Sequence, residues 1–270
     1  MDFSEDEIQR YARHILLDEV GGTGQAKLRA ARVLIAGAGG LGSPLALYLA
    51  AAGIGTIGIA DDDRVELSNL QRQIVHTTAG VGTGKAASAA RAMAALNPLV
   101  RIVQHAERIT AANVAGLIAG YDMVCDGTDN LATRFVLADA CWAARVTLVS
   151  AAILRFEGQL SVFRPGIAAD GAALPCYRCL NPAPLAGSDP NDGETCAEAG
   201  VLGPVVGVVG SLAAVEVCKA VLGIGESLAG RLLLWDALAM RVRVVRLLAD
   251  PKCLGCAPDN ATTIGHLQQK

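Results

Sequence analysis

Along the first sixty residues the apolar positions change period three times. The segment SEDEIQRYARHILL (4–17) sets Ile8, Tyr11, Ile15 and Leu16 at helical spacing behind a Ser/Asp/Glu start, which predicts an amphipathic first helix. ARVLIAGAGGLGSPLALYLAAAGIGTIGIADDD then reads as an apolar strand at Val33 to Ala36, a glycine turn, a helix through Ala52 and a second strand at Thr56 to Ala60. That is one βαβ unit.

The alternation continues with a helix from near Gly84 to just before Asn97-Pro98, then a strand at Arg101 to Gln104. A helix at Ala111 to Ala119, a buried strand in YDMVCD, a helix at Thr133 to Ala144 and a strand in VTLVS follow. Strands alternating with helices imply an α/β fold with a Rossmann-like, doubly wound, mostly parallel sheet. After Ala151 the texture changes: GQLSVFRPG and RLLLWDALAMRVRVVRL look like antiparallel strands around a helix at about 205–222. The stretch Asn181 to Thr195 is rich in Pro, Gly and Asp and predicts a long mobile loop, while Ala257 to Lys270 reads as a frayed tail. The longest apolar stretch, Pro204 to Leu222, is interrupted by Glu216 and Lys219 and loosened by glycines, so a buried helix is expected there and no membrane span.

Composition narrows the function classes. With 52% hydrophobic and 18% charged residues the 270-residue chain has ample material for a core. A net charge of -3 argues against sequence-independent binding to nucleic acid, which needs a cationic face. The acidic start MDFSEDEIQRYARH lacks the basic-then-apolar order of a secretory signal, so a cytoplasmic location is expected.

Gly37-Ala38-Gly39-Gly40-Leu41-Gly42 satisfies GxGxxG between a strand and a helix, where backbone N–H groups and the helix dipole hold phosphate. Asp61-Asp62-Asp63 follows the second strand, at the distance where a carboxylate accepts from ribose hydroxyls. This pair of features alone also suits a nicotinamide-dependent oxidoreductase. What shifts the balance is a set near carboxyl ends of strands: VELSNLQRQ (65–73), Gly84-Lys85 and Asp126-Gly127-Thr128-Asp129-Asn130. Arg72 and Lys85 could neutralise a triphosphate, and Asp129 could hold the Mg²⁺ that accompanies it.

Eight cysteines are present, and Cys176-Tyr-Arg-Cys179 with Cys253-Leu-Gly-Cys256 form two CxxC knuckles. Four thiolates satisfy tetrahedral zinc with no vacant position, so a structural Zn²⁺ site is expected; two redox pairs are the alternative. Cys125, Cys141 and Cys218 fall in apolar patterns and read as core. The four histidines show no ligand spacing.

RYARHILL, VLIAGAGGLGSPLALYLAAAGIG, DDDRVELSNLQRQIVH, DGTDNLATR, SAAILRFEGQLSVF, PCYRCL, TCAEAGVLGP and CLGC, in this order, resemble the MoeB/ThiF family of ubiquitin-activating-enzyme-like adenylyltransferases. The likeness covers about residues 4–256. It implies one adenylyltransferase domain over 1–270, with a nucleotide-binding half at about 28–150 and a carrier-binding, crossover-loop and zinc half at about 151–256. It implies that Gly40 lies near ATP, Asp61 holds the ribose, Ser68, Asn69, Leu70, Gln71, Arg72 and Lys85 line the phosphates, and Asp129 binds Mg²⁺ beside Asn130. Arg13 would reach the neighbouring subunit's phosphates, which requires a homodimer. Cys196 matches a family cysteine implicated in thioester or acyl-disulfide chemistry. Asp62 departs from the pattern, where the family often has an apolar or aromatic residue. The implied reaction is adenylation of the C-terminal Gly-Gly carboxylate of a small ubiquitin-like sulfur carrier, for molybdopterin, thiamine or a related pathway. The chain ends soon after CLGC, so sulfur is expected from a separate donor such as a cysteine desulfurase or a rhodanese. A catalytically idle member acting as a binding partner is the remaining alternative.

Overall fold

A computed structural model describes residues 3–168, 170–182 and 200–256. Ser4 caps the first helix, α1 (Glu5–Ile15): its Oγ accepts from the Glu7 N–H while the Glu7 carboxylate accepts from the Ser4 N–H. A second helix follows, α2 (Gly21–Ala30), which the sequence pattern misses. Three glycines in its ten residues make it a poor helix by propensity, and tertiary packing overrides that. A Cβ on Gly24 would lie 2.9 Å from Leu222, and the buried Gln25 donates to the Ala52 carbonyl oxygen.

The chain then runs β1 (Arg32–Ala36), α3 (Gly42–Ala52), β2 (Thr56–Ala60), α4 (Lys85–Leu96), β3 (Arg101–His105), α5 (Val114–Ile118), β4 (Met123–Asp126), α6 (Leu131–Ala144) and β5 (Thr147–Leu154). These strands are parallel in the order β3-β2-β1-β4-β5. Antiparallel β6 (Glu157–Phe163), β7 (Arg231–Asp236) and β8 (Arg241–Arg246) extend the same sheet to eight strands. Between β6 and β7 come α7 (Tyr177–Leu180) and α8 (Gly203–Leu222). The expected Rossmann-like sheet with an antiparallel continuation is therefore present.

Helix α5 is shorter than the expected 111–119. Asn113 bends the approach into a turn, its Oδ1 accepting from the Thr110 N–H and its Nδ2 donating to the Arg108 carbonyl, so helical bonding starts late. By length and composition α8 could cross a membrane, yet half of its most apolar window is buried. Val205, Val206, Val209, Ala213 and Val217 join the core cluster formed by β1, β2, α3 and α4, which makes it the core helix expected. The expected loop at 181–195, apart from its first two residues, and the tail at 257–270 lie outside the described residues.

Strand order reverses between β1 and β4, and a glycine, Gly37 or Gly127, follows each. In doubly wound sheets ligands bind at that crevice, beyond the carboxyl ends of the strands. Gly37 has φ +91, and a Cβ there would lie 3.1 Å from the Gly127 carbonyl oxygen. Glycine at 37 thus lets the turns after β1 and β4 close on each other. At Gly42 a Cβ would lie 1.9 Å from the Gly37 carbonyl oxygen, so the helix can begin only as tightly as it does without a side chain.

Candidate functional site

A cavity of about 580 Å³ opens over this crevice. One end is walled by Gly37, Gly39, Gly40, Asp61 and Lys85, the middle by Thr128, Asp129 and Asn130, and the far end by Ala152, Gln159, Ser161 and Leu232. It therefore runs from the glycine turn across the face of the antiparallel strands.

Each wall is held by named bonds. The Asp61 carboxylate accepts from the Ala38 N–H (2.8 Å) and the Asp63 N–H (2.9 Å), fixing the glycine turn against the loop after β2. Burial raises its pKa, and the nearby Lys85 and the two N–H groups oppose that shift. Each oxygen keeps a lone pair for a ribose hydroxyl. Lys85 is buried at the start of α4 and its Nζ lies 2.7 Å from the exposed Asp63 carboxylate, which holds the ammonium over the cavity. Arg72 comes within 3.7 Å of where a Cβ on Gly40 would sit.

Under the middle wall lies Asp126, almost fully buried. It accepts from the Thr128 N–H (3.0 Å), the Thr128 hydroxyl (2.7 Å) and the Ser150 hydroxyl (3.0 Å), and faces the buried Arg134 guanidinium at 3.5 Å. Arg134 in turn donates to the Thr128 carbonyl. Asn130 caps α6 by accepting from the Thr133 N–H. These bonds fix the strand end that presents the exposed Asp129 to the cavity.

Of the residues expected at a nucleotide site, Gly40, Asp61, Arg72, Lys85, Asp129 and Asn130 share this wall. Ser68, Asn69, Leu70 and Gln71 do not line it. They form the support behind Arg72: Leu67–Asn69 is a single 3₁₀ turn, Asn69 is buried with its Oδ1 accepting from the Glu66 N–H, and Arg72 donates to the Ser68 carbonyl. Arg13 is exposed on α1, which is anchored at the opposite end of the domain. Tyr11 packs against Gly53 at the end of α3, and its hydroxyl accepts from Asn97 after α4. Eleven residues of α3, about 15 Å, separate that anchor from the glycine turn. Arg13 does not line this chain's own cavity. Cys196 lies outside the described residues.

Two residues escaped the sequence reading. His76 is buried, its Nε2–H donating to the Ala38 carbonyl and its Nδ1 accepting from the Ser88 hydroxyl, both at 2.9 Å, so it ties the glycine turn to α4. Burial lowers its pKa, and the charges of Lys85 and Arg91 lower it further. Gln73 is buried on the cavity wall. Neither has a spacing signal: His76 bonds the Ala38 carbonyl and the Ser88 hydroxyl, on two other elements, and the Gln73 Oε1 has no partner among the described residues.

The four expected metal cysteines converge. Their sulfur atoms all lie within 4.8 Å of one another, with Cys176–Cys179 at 3.9 Å, Cys176–Cys253 at 3.5 Å and Cys179–Cys256 at 3.4 Å. Tetrahedral zinc sets neighbouring sulfurs about 3.8 Å apart, so the donor set fits Zn²⁺ and could bind it. Burial pushes Cys176 up and Cys256 up to about 12, so proton release from these thiols needs a cation among them. This cluster is not remote from the cavity. Tyr177, Leu180 and Asn181, which bracket Cys179, line its wall, and Arg178 locks α7 onto α6 through a bidentate pair with Asp139.

The ThiF family profile matches residues 11–255. The chain belongs to the ThiF family. Adenylyltransferase and sulfurtransferase MOCS3-2 of Zea mays is 46% identical over 267 residues, which is 98% of this chain and 53% of the maize protein. The sulfur carrier protein adenylyltransferase of Thermus thermophilus is 44% identical over 260 residues, 96% of this chain and 94% of that one. The chain thus spans about half the length of the maize relative and nearly all of the Thermus one. A crystal structure of E. coli MccB shares the fold, with TM-score 0.80 at 22% identity over 95% of this chain and 76% of that one. The ThiF match takes in every residue on the cavity wall and three of the four clustered cysteines, with Cys256 one position beyond it.

Proposed function

We propose that this ThiF-family chain is an ATP-dependent adenylyltransferase that activates the C-terminal Gly-Gly carboxylate of a small ubiquitin-like sulfur carrier. The observation that carries this is the charge and lining of one cavity, whose wall joins a glycine turn, Asp61, Arg72, Lys85 and Asp129 to the residues of β5 and β6. The Thermus relative of nearly equal length is named for this activity.

The carrier carboxylate is ionised at neutral pH and needs no general base. Its oxygen attacks the α-phosphorus of ATP, the bond from that phosphorus to the β-phosphate oxygen breaks, and pyrophosphate leaves with the electron pair. The product is an acyl-adenylate. The chain's contribution is positioning and charge. The amides of the glycine turn and the N-terminus of α3 receive phosphate oxygens, Asp61 orients the ribose, and Arg72 and Lys85 draw the leaving charge. Lys85 has to exchange Asp63 for phosphate as ATP enters.

Cations on this wall are outnumbered. Asp61, Asp62, Asp63, Glu107 and Asp129 stand against Arg72, Lys85, Arg108 and Arg134, and Arg134 is committed to Asp126. A triphosphate therefore needs more positive charge than the chain supplies. Mg²⁺ held by Asp129 would neutralise the phosphates, and oxygen donors on an exposed loop suit that ion. Arg13 of a second copy would add to it, in a homodimer. An apolar stripe of Tyr48 on α3 with Val208 and Val215 on α8, all exposed, is a suitable face for that copy. A cytoplasmic setting and a separate sulfur donor complete the proposal.

The test is ATP–pyrophosphate exchange with a Gly-Gly-terminated carrier. Asp129→Ala should abolish exchange while circular dichroism stays native; unchanged exchange in that variant would sink the assignment.

A further inference from the structure

The knuckle between Cys176 and Cys179 carries a tyrosine into the cavity wall. Tyr177 is 5% exposed, and its ring stands edge-on to Phe135 at 5.6 Å and to Phe163 at 5.5 Å. A phenylalanine would pack among those rings equally well, so the aromatic cluster does not account for the hydroxyl. Buried tyrosine hydroxyls find a hydrogen-bond partner, and here it is the side chain of Arg134.

Arg134 is buried under the Asp129 loop. A guanidinium holds five N–H donors in one plane, and this one directs them at three parts of the chain. It faces Asp126 at the end of β4 at 3.5 Å, donates to the Thr128 carbonyl in the loop, and donates to the Tyr177 hydroxyl on α7. Asp126 and Thr128 adjoin Asp129 in the chain, whereas Tyr177 comes from elsewhere and fixes the plane against an outside support. That support is well held. Cys176 caps α7 and Cys179 sits in its turn, both sulfurs belong to the four-thiol cluster, and Arg178 between them grips Asp139 on α6.

We propose that Tyr177 is a positioning residue: its hydroxyl, seated by the cysteine knuckle, sets the plane of Arg134 and through it the loop that presents Asp129 to Mg·ATP. This rests on the ATP-dependent function argued above. The cysteine cluster thereby bears on the nucleotide end of the cavity as well as on the fold.

The experiment compares the wild type, Tyr177→Phe, Arg134→Lys and the double variant, each as the zinc-loaded full chain, by urea denaturation and by Mg²⁺ and carrier titrations of ATP–pyrophosphate exchange. Tyr177→Phe keeps the ring and should keep the wild type's zinc content. It should lower the urea midpoint in the wild-type background and leave it nearly unmoved in Arg134→Lys. Lysine keeps the charge facing Asp126 but lacks the planar fork that reaches the hydroxyl as well. In exchange, Tyr177→Phe should raise the half-saturating Mg²⁺ concentration about fivefold, part of what one hydrogen bond to a charged group is worth. The half-saturating carrier concentration should stay within about twofold. Equal midpoint losses in both backgrounds would refute the contact with Arg134. Coupled midpoints with an unchanged Mg²⁺ demand would make the hydroxyl structural only, and a shift in carrier demand alone would make Tyr177 a wall contact; either overturns the positioning role. If the wild type itself supports no exchange with any carrier, the underlying function fails and the positioning role with it, while the midpoints still report whether the contact exists.

Discussion

Asp126→Ala removes the group on which the Asp129 loop is built. The carboxylate has three donors, the Thr128 N–H, the Thr128 hydroxyl and the Ser150 hydroxyl, and one facing cation, Arg134. Deleting it leaves a guanidinium at 7% exposure without its counter-charge, and breaking a buried pair in this way costs about 3–5 kcal/mol. The stranded Thr128 N–H adds about 1–3 kcal/mol unless water reaches it. Arg134 keeps the Thr128 carbonyl as a partner, so the lower part of the summed range, about 4 kcal/mol, is the expected loss. For a chain of this size that is roughly 10 °C in melting temperature. Asp126→Asn keeps the volume and the two Thr128 contacts but still removes the charge facing Arg134, and should cost about 3 kcal/mol. The assay is urea denaturation of both variants alongside pyrophosphate exchange. Exchange should fall further than stability at a temperature where both remain folded, because Asp129 and Asn130 lose their mooring. A loss under about 1 kcal/mol for Asp126→Ala, with exchange intact, would refute the argument that this pair fixes the loop.

Other perturbations give equally direct outcomes. Gly42→Ala forces a methyl to within 1.9 Å of the Gly37 carbonyl oxygen, so the turn must open and nucleotide affinity should drop even where the protein still folds; calorimetry reads the loss. Removing Zn²⁺ with a chelator, or truncating Cys256→Ser, should release α7 and with it Tyr177 on the cavity wall, seen as lower melting temperature and weaker carrier binding in proportion to metal content. Since burial lowers the His76 pKa below its ordinary 6.5, the unfolded chain binds the extra proton first. Stability should therefore fall as pH drops through about 6.5 and continue to fall until the folded pKa is reached, and His76→Gln should flatten that part of the profile. Mixing Arg13→Ala with Asp129→Ala, each inactive alone, should restore activity at about a quarter of the sites if the arginine acts across a dimer; no recovery on mixing would place Arg13 elsewhere.

Most of the architecture was readable because periodicity and punctuation agreed. Gly84 before α4, Asn97-Pro98 after it and the Ser4–Glu7 capping box marked boundaries that the structure reproduces within a residue. Helix α2 was not, because its glycines speak against a helix and only Leu222, nearly two hundred residues away, explains why they are there. The late start of α5 had the same root, a side chain of Asn113 competing with helical bonding. At the cavity, charged residues on strand ends could be named from motif and spacing. The placement of Ser68 to Gln71 behind the wall, the clamp of His76 on Ala38 and the orphaned amide of Gln73 depend on how the loop after β2 folds back on the glycine turn. No pattern in the chain encodes that return. The cysteines were readable as two knuckles, but their contact with the cavity through Tyr177 needed the position of α7 against α6.

Incubating the purified chain with ATP, Mg²⁺ and individual Gly-Gly-terminated carriers, and weighing the carriers by intact mass spectrometry while pyrophosphate exchange is followed, decides whether the cavity is an adenylation site. An adenylated carrier formed together with exchange, and lost in Asp129→Ala, is the predicted result. Tight ATP binding with no adenylate and no exchange for any carrier would contradict it and leave the chain a nucleotide-binding partner protein.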